Sequence, residues 1–248
     1  MTQPVSILSR FAALFTPVRE TLNELFPSIV DSEVKLACDD GWHVDASTQY
    51  CHRCGASVGP GEALEKCSHC VNQPIAWQRI VRLAAYKAPV EPWIVAMKFH
   101  RVWPWASWFG RQLAGAIEQV EEPGKTLVCP VPMPWLRRWR RGYNQSQIMS
   151  RALARALKLE HVELLRRLGW RPPQTQVLPS QRAANVRGSF EMRPVDLTGW
   201  HVILVDDVKT TGSTLTGCTR LLKQAGAASV CVAVAAVADP KGQDFKRT

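Results

Sequence analysis

His201-Val-Ile-Leu-Val-Asp-Asp-Val-Lys-Thr-Thr-Gly-Ser-Thr214 decides the fold of this chain. His201–Val205 reads as a buried strand that ends at the carboxylate pair Asp206-Asp207, and after Thr210, Thr211, Gly212, Ser213 and Thr214 the run Ser213–Ala225 reads as a helix. A strand-to-helix turn of this composition aims backbone N–H groups and hydroxyls at one place, with the positive end of a helix dipole behind them. Such a turn cradles a phosphate, and Gly212 lets the backbone approach the anion with no Cβ in between. Two adjacent carboxylates upstream suit the vicinal hydroxyls of a ribose carrying that phosphate. The alternative is a helix cap made by Thr210 or Ser213. A cap accounts for one hydroxyl and leaves the acid pair without a purpose.

Outward from this loop, the chain from Trp77 alternates strand-like and helix-like runs. Ile80–Tyr86 reads as a strand, Val90–Lys98 and Trp105–Glu118 as helices, and Thr126–Val131 as a buried strand ending in Pro-Val-Pro. Asn144–Leu157 reads as a helix, a short strand or turn begins at His161, and Ser229–Ala236 reads as a strand. Gly169–Ser189 is a polar loop too long for a plain connector. Alternation of this kind predicts an α/β fold with a mostly parallel sheet flanked by helices.

Before residue 75 the text differs. Between Cys38 and Cys70 there is little apolar periodicity, so this stretch buries little core and needs another source of stability. Cys51-His-Arg-Cys54 and Cys67-Ser-His-Cys70 form two C-x2-C pairs that together fill a tetrahedral zinc shell with no open position, a structural rather than catalytic site. Gly55 gives the first knuckle its backbone freedom. His52, His69 and Cys38 are alternative ligands, and unligated thiols are the bland reading. Cys129, Cys218 and Cys231 fall in strand or helix and read as small core residues.

The boundaries that follow are 1–36 for an amphipathic helical segment, 37–75 for a zinc-ribbon-like module, 76–240 for the α/β domain and 241–248 for a tail. The first segment has neither the uninterrupted apolar stretch nor the cleavage site of a secretory signal, and no run of about 18 apolar residues marks a membrane span. A cytoplasmic location is expected, where thiols stay reduced. Lys+Arg 31 against Asp+Glu 21 gives a net charge of +10, which favours polyanionic partners. Arg137, Arg138, Arg140 and Arg141, interleaved with Trp135 and Trp139, suit phosphates and bases. That run reads equally as a contact for a diphosphate or for single-stranded DNA, with a solvated helix face as the bland alternative.

The acid pair and Thr/Ser-Gly loop resemble the type I phosphoribosyltransferases. The resemblance implies that Asp206 and Asp207 contact the ribose hydroxyls of phosphoribosyl pyrophosphate, held with Mg2+, while Thr210, Thr211, Gly212, Ser213 and Thr214 hold its 5′-phosphate. Pro130-Val-Pro-Met-Pro134, Arg137-Arg-Trp-Arg-Arg-Gly-Tyr-Asn-Gln145 and Arg182-Ala-Ala-Asn-Val-Arg-Gly188, behind a cysteine-pair module, are similar to the ComF/GntX family associated with DNA uptake and use. That likeness extends from about Cys51 to Ala236. It implies that Val131-Pro132 occupies the diphosphate-loop position, where Arg138 and Arg141 could neutralise the diphosphate, and that Arg182 and Arg187 lie on a mobile loop that closes over it or are simply surface arginines. It also implies single-stranded DNA, a DNA-uptake helicase or other competence proteins as partners. Relatives often carry further cysteine pairs near the start, where this chain has Cys38. Whether the chain is an enzyme stays open. A base-salvage phosphoribosyltransferase and a non-catalytic phosphoribosyl pyrophosphate sensor are the other readings, and the residues name no nucleophile.

Overall fold

In the computed structural model the described residues are 27–59, 61–118, 124–168 and 189–239. They form two units, taken separately: residues up to His43, and residues from Val44 onward. The first holds helix α1 (Pro27–Asp39), closed by backbone bonds from Gly41 N to Cys38 O and from Trp42 N to Ala37 O. The second holds β1 (Arg79–Ala85), α2 (Val90–Phe99), α3 (Pro104–Glu118), β2 (Lys125–Pro130), α4 (Trp135–Arg141) and α5 (Gln145–Leu157). It continues through β3 (Glu160–His161), β4 (Leu165–Arg167), β5 (Phe190–Met192), β6 (Trp200–Lys209), α6 (Ser213–Gln224) and β7 (Ser229–Val237).

Five strands make a parallel sheet in the order β1-β7-β6-β2-β3. β7 reads Ser-Val-Cys-Val-Ala-Val-Ala-Ala-Val and is almost wholly buried, as a central parallel strand covered on both faces requires. On one face Leu215, Cys218 and Leu222 of α6 join Val202, Leu204, Val232 and Val234 in the core. Toward the other face lie α2, α3 and α5. There Trp93 stacks on Trp105 at 4.5 Å, Trp108 packs edge-on against both, and Phe109 lies edge-on to Trp108 and tilted against Trp105. Gly110 permits the close crossing of α3 over α5, since a Cβ there would sit 2.3 Å from the Met149 carbonyl oxygen.

The strand expected to end at the acid pair runs four residues further. Its ladder with β7 continues through Asp206↔Val234, Val208↔Ala236 and Lys209↔Val237, because β7 stays apolar to its end and keeps offering backbone partners. Asp206 and Asp207 therefore sit inside β6, where successive side chains point to opposite faces. β4 and β5 pair antiparallel, with Leu168 N donating to Ser189 O at 3.0 Å, so the two ends of the long polar loop are fastened together. Residues 169–188 lie outside the described set, and with them Arg182 and Arg187, as do the amphipathic segment up to residue 26 and the tail from residue 240.

Candidate functional site

The two adjacent acids are held differently. Asp207 is buried, and both its carboxylate oxygens have donors from the chain: Lys98 Nζ lies 2.8 Å from Oδ1, and Gln145 Nε2 donates to Oδ2. Gln145 is itself fixed by Arg141, whose Nη1 donates to its Oε1 at 2.7 Å. Asp206 is half-buried, and its Oδ1 accepts from Ser146 Oγ and from the Asp207 N–H, both at 2.9 Å. Burial, reinforced by the neighbouring Asp207 carboxylate, pushes Asp206 up to about 7.

Sequence reading did not find Lys98, Gln145 and Ser146. Gln145 and Ser146 open α5 behind Asn144, whose side chain accepts from Ser146 N and caps the helix. Both are buried, which the sequence does not show; two polar residues at the start of a helix read as ordinary N-terminal residues. Lys98 sits in the last turn of α2, a position where a lysine is ordinary helix-end chemistry and gives no signal of a site.

The Thr-rich turn lies just past the acids. Gly212 has φ +75 and is buried against Trp77, whose Cη2 would lie 3.0 Å from an added Cβ, so the turn needs glycine for both conformation and room. No side chain caps α6. Thr211 Oγ1 and Ser213 Oγ pair with each other at 3.0 Å; Thr210 and Thr211 are exposed, and Ser213 and Thr214 half-buried. The Ser213 N–H reaches Thr211 Oγ1 at 3.5 Å, and with no side chain at the N-cap position the start of α6 suits an anion.

Asp206, Asp207, Lys98, Arg137, Arg141 and Thr214 line one cleft of about 430 Å3, walled by Val131–Pro134. The arginine run divides between surfaces. Arg137 and Arg141, one helical turn apart on α4, face this cleft, while Arg138 lines a neighbouring groove with Arg166, Arg167 and Arg193. Arg140 lines neither, and its carbonyl accepts from Arg101. Burial lowers the Arg141 guanidinium from its ordinary value, an effect that the Asp207 carboxylate opposes. Trp135 and Trp139 project to solvent, 62% and 78% exposed.

The four cysteines form a second, separate centre. Cys51, Cys54, Cys67 and Cys70 are buried with their sulfurs within 4.8 Å of one another, and the Cys51–Cys70 and Cys54–Cys67 separations are 3.7 and 3.5 Å. Tetrahedral zinc with Zn–S near 2.3 Å places its sulfurs about 3.8 Å apart, so donor set and spacing fit a closed zinc site. His52 is not available as a ligand, because its ring nitrogens engage Ser47 O and Glu65. Cys38 lies on α1, in the other unit, and does not belong to the cluster. Cys129 and Cys218 are buried core residues as read from sequence, and Cys231 is half-buried. The first knuckle rests on the sheet edge. Ile80 N donates to His52 O, and Gly55, at φ +77, leaves no room for a Cβ, which would lie 2.9 Å from Val237 Cγ2. Arg82 of β1 fastens the same region, donating to Gly55 O at 2.6 Å and pairing with Asp45 at 2.8 Å and Asp239 at 3.3 Å.

The phosphoribosyl transferase domain family matches residues 140–248. The hypoxanthine-guanine phosphoribosyltransferase structure from Bacillus anthracis is 14% identical, covers 58% of this chain and 74% of that one, and has a TM-score of 0.35. Competence protein F of Haemophilus influenzae is 28% identical over 197 residues, 75% of this chain and 83% of its own length. DNA utilization protein YhgH of Escherichia coli strain K12 is 33% identical over 190 residues, 73% of this chain and 81% of its own length. Identity sustained over so much of both chains is a family relationship, and the protein belongs to the ComF/GntX family of phosphoribosyltransferase-fold proteins.

Proposed function

We propose that this protein binds phosphoribosyl pyrophosphate in the acid-pair cleft and acts in the uptake or use of DNA, with single-stranded DNA running over the Trp/Arg face of α4. The observation that carries the reading is the meeting, in one cleft, of the half-buried Asp206 carboxylate, Thr214 from the first turn of α6, and the guanidinium groups of Arg137 and Arg141. The turn Thr210–Thr214 suits the 5′-phosphate, Asp206 a ribose hydroxyl, and the arginines the diphosphate. Magnesium enters as the counter-ion of the diphosphate oxygens. The relatives' names supply the DNA context, and the net charge of +10 accords with it. Zinc in the four-cysteine site holds the module folded and takes no part in chemistry. A DNA-uptake helicase or another competence protein is the partner class that follows from the names, and the cytoplasm is the compartment where such a reduced four-thiolate site persists.

If pentosyl transfer occurs, the arginines stabilise the leaving diphosphate as the C1–O bond breaks, and the acceptor attacks C1. The acceptor is then a second substrate, and without one there is no turnover. The test is calorimetric titration of zinc-loaded protein with phosphoribosyl pyrophosphate and Mg2+, beside an Asp206→Ala/Asp207→Ala variant. Saturable binding lost in the variant is expected, and absence of binding by the folded wild type would overturn the reading. A panel of bases then separates a salvage enzyme, which releases pyrophosphate, from a sensor, which does not.

A further inference from the structure

A divalent ion held directly by the acid pair needs carboxylate oxygens with lone pairs to spare and no resident cation beside them. The second condition is not met here: Lys98 Nζ pairs with Oδ1 of Asp207 while Gln145 donates to its Oδ2, and Ser146 and a backbone N–H donate to Oδ1 of Asp206, which leaves Asp206 Oδ2 facing a site that already holds a cation. An ion placed there would have to expel the Lys98 ammonium from a 2.8 Å pairing in which both side chains are largely buried, 20% and 8% exposed.

Lys98 is held in position from both sides. Its neighbour Met97 is fully buried, and the Met97 carbonyl accepts from the hydroxyl of Tyr143, itself buried just before the cap of α5. Its other neighbour, Phe99, lies beneath the Arg141 guanidinium, 5.7 Å from ring centroid to Cζ. An ammonium carries three donors, so after Asp207 is satisfied two remain for oxygens that enter the cleft.

We propose that Lys98 is a sugar-binding residue that takes the place of a divalent cation at the acid pair, neutralising Asp207 and offering N–H donors to the ribose hydroxyls while Asp206 Oδ2 accepts from them. This deepens the phosphoribosyl reading above and rests on it for the identity of the sugar. It confines magnesium to the diphosphate and makes the sugar half of the site independent of metal.

The experiment has two arms on zinc-loaded, full-length protein. In the first, Mn2+ binding is followed by electron paramagnetic resonance without any sugar ligand. Wild type is expected to hold no Mn2+ at the acids. Lys98→Met is expected to gain one site that disappears again in Lys98→Met/Asp207→Asn. Lys98→Gln, which keeps a donor but drops the charge, gives the same readout if Lys98→Met fails to fold. A wild-type Mn2+ site abolished by Asp207→Asn, or no site in either Lys98 variant, overturns the proposal. In the second arm ribose 5-phosphate, which lacks the diphosphate, is titrated in magnesium-free buffer and in excess Mg2+. Wild-type affinity is expected to be unchanged by Mg2+, and the Lys98 variants to lose about 10-fold or more without Mg2+ and recover part of it with Mg2+. Variants that bind as wild type does in both buffers overturn the proposal. Failure of wild type to bind ribose 5-phosphate, with the Mn2+ arm as expected, overturns the sugar reading and leaves Lys98 as the resident cation.

Discussion

Burial and the Asp207 carboxylate raise Asp206 to about 7 from 3.8, so between those values the native protein holds a proton that the unfolded chain has released. Stability linked to this group is complete below about pH 4 and is lost as pH rises through 7, where the native state must carry the charge. Asp206→Asn removes that dependence while keeping an oxygen for Ser146. In magnesium-free urea melts, the wild type is expected to lose on the order of 1–2 kcal/mol more than the variant between pH 5 and pH 8, the figure being reduced by screening at a half-exposed group. Parallel pH profiles would show that Asp206 does not titrate in this range. The acid dipeptide itself was plain in the sequence. The inequality of its members was not, because it is imposed by Lys98 and Gln145, which stand far away along the chain and meet Asp207 only in the folded sheet.

Helix α4 is the element on which the two proposed ligands would meet. Its seven residues bury none of their side chains, and they turn Arg137 and Arg141 to the cleft while Trp135 and Trp139 stand in solvent. Stacking of a base on an aromatic ring is worth about 1–3 kcal/mol, so Trp139→Ala is expected to weaken binding of a labelled oligothymidine about 10-fold in fluorescence anisotropy at fixed salt. Phosphoribosyl pyrophosphate affinity should not change. Loss of both affinities together, or of neither, would count against a stacking role. Elements with a strong pattern were legible: β7 from its apolar run and α5 from its helical spacing. Those without one were not. α4 has no buried face to print a periodicity, and β4 and β5, of three residues each, are too short to alternate visibly; they exist because they pair with each other.

At the scale of the molecule, the cysteine module is joined to the sheet through Arg82. Its guanidinium, 1% exposed, meets Asp45, Asp239, Gly55 O and Ser57 Oγ and lies over the Tyr50 ring. Replacing one member of such a buried network leaves the others unpaired, so Arg82→Met is expected to cost about 3–5 kcal/mol in urea denaturation and to speed zinc release to a chromogenic chelator. Unchanged release would mean that the module holds its metal without help from the sheet. The zinc knuckles were legible from their spacing, whereas their attachment was not, since Arg82 reaches partners 37 and 157 residues away. Among the described strands β1 has β7 as its one sheet neighbour, and Ser57 leans on Asp239. During synthesis the first strand and the knuckles therefore leave the ribosome well before their support exists. The sheet is complete only when β7 has emerged, and a chain stalled before Ser229 leaves β1 without a strand partner and exposes an edge of β6.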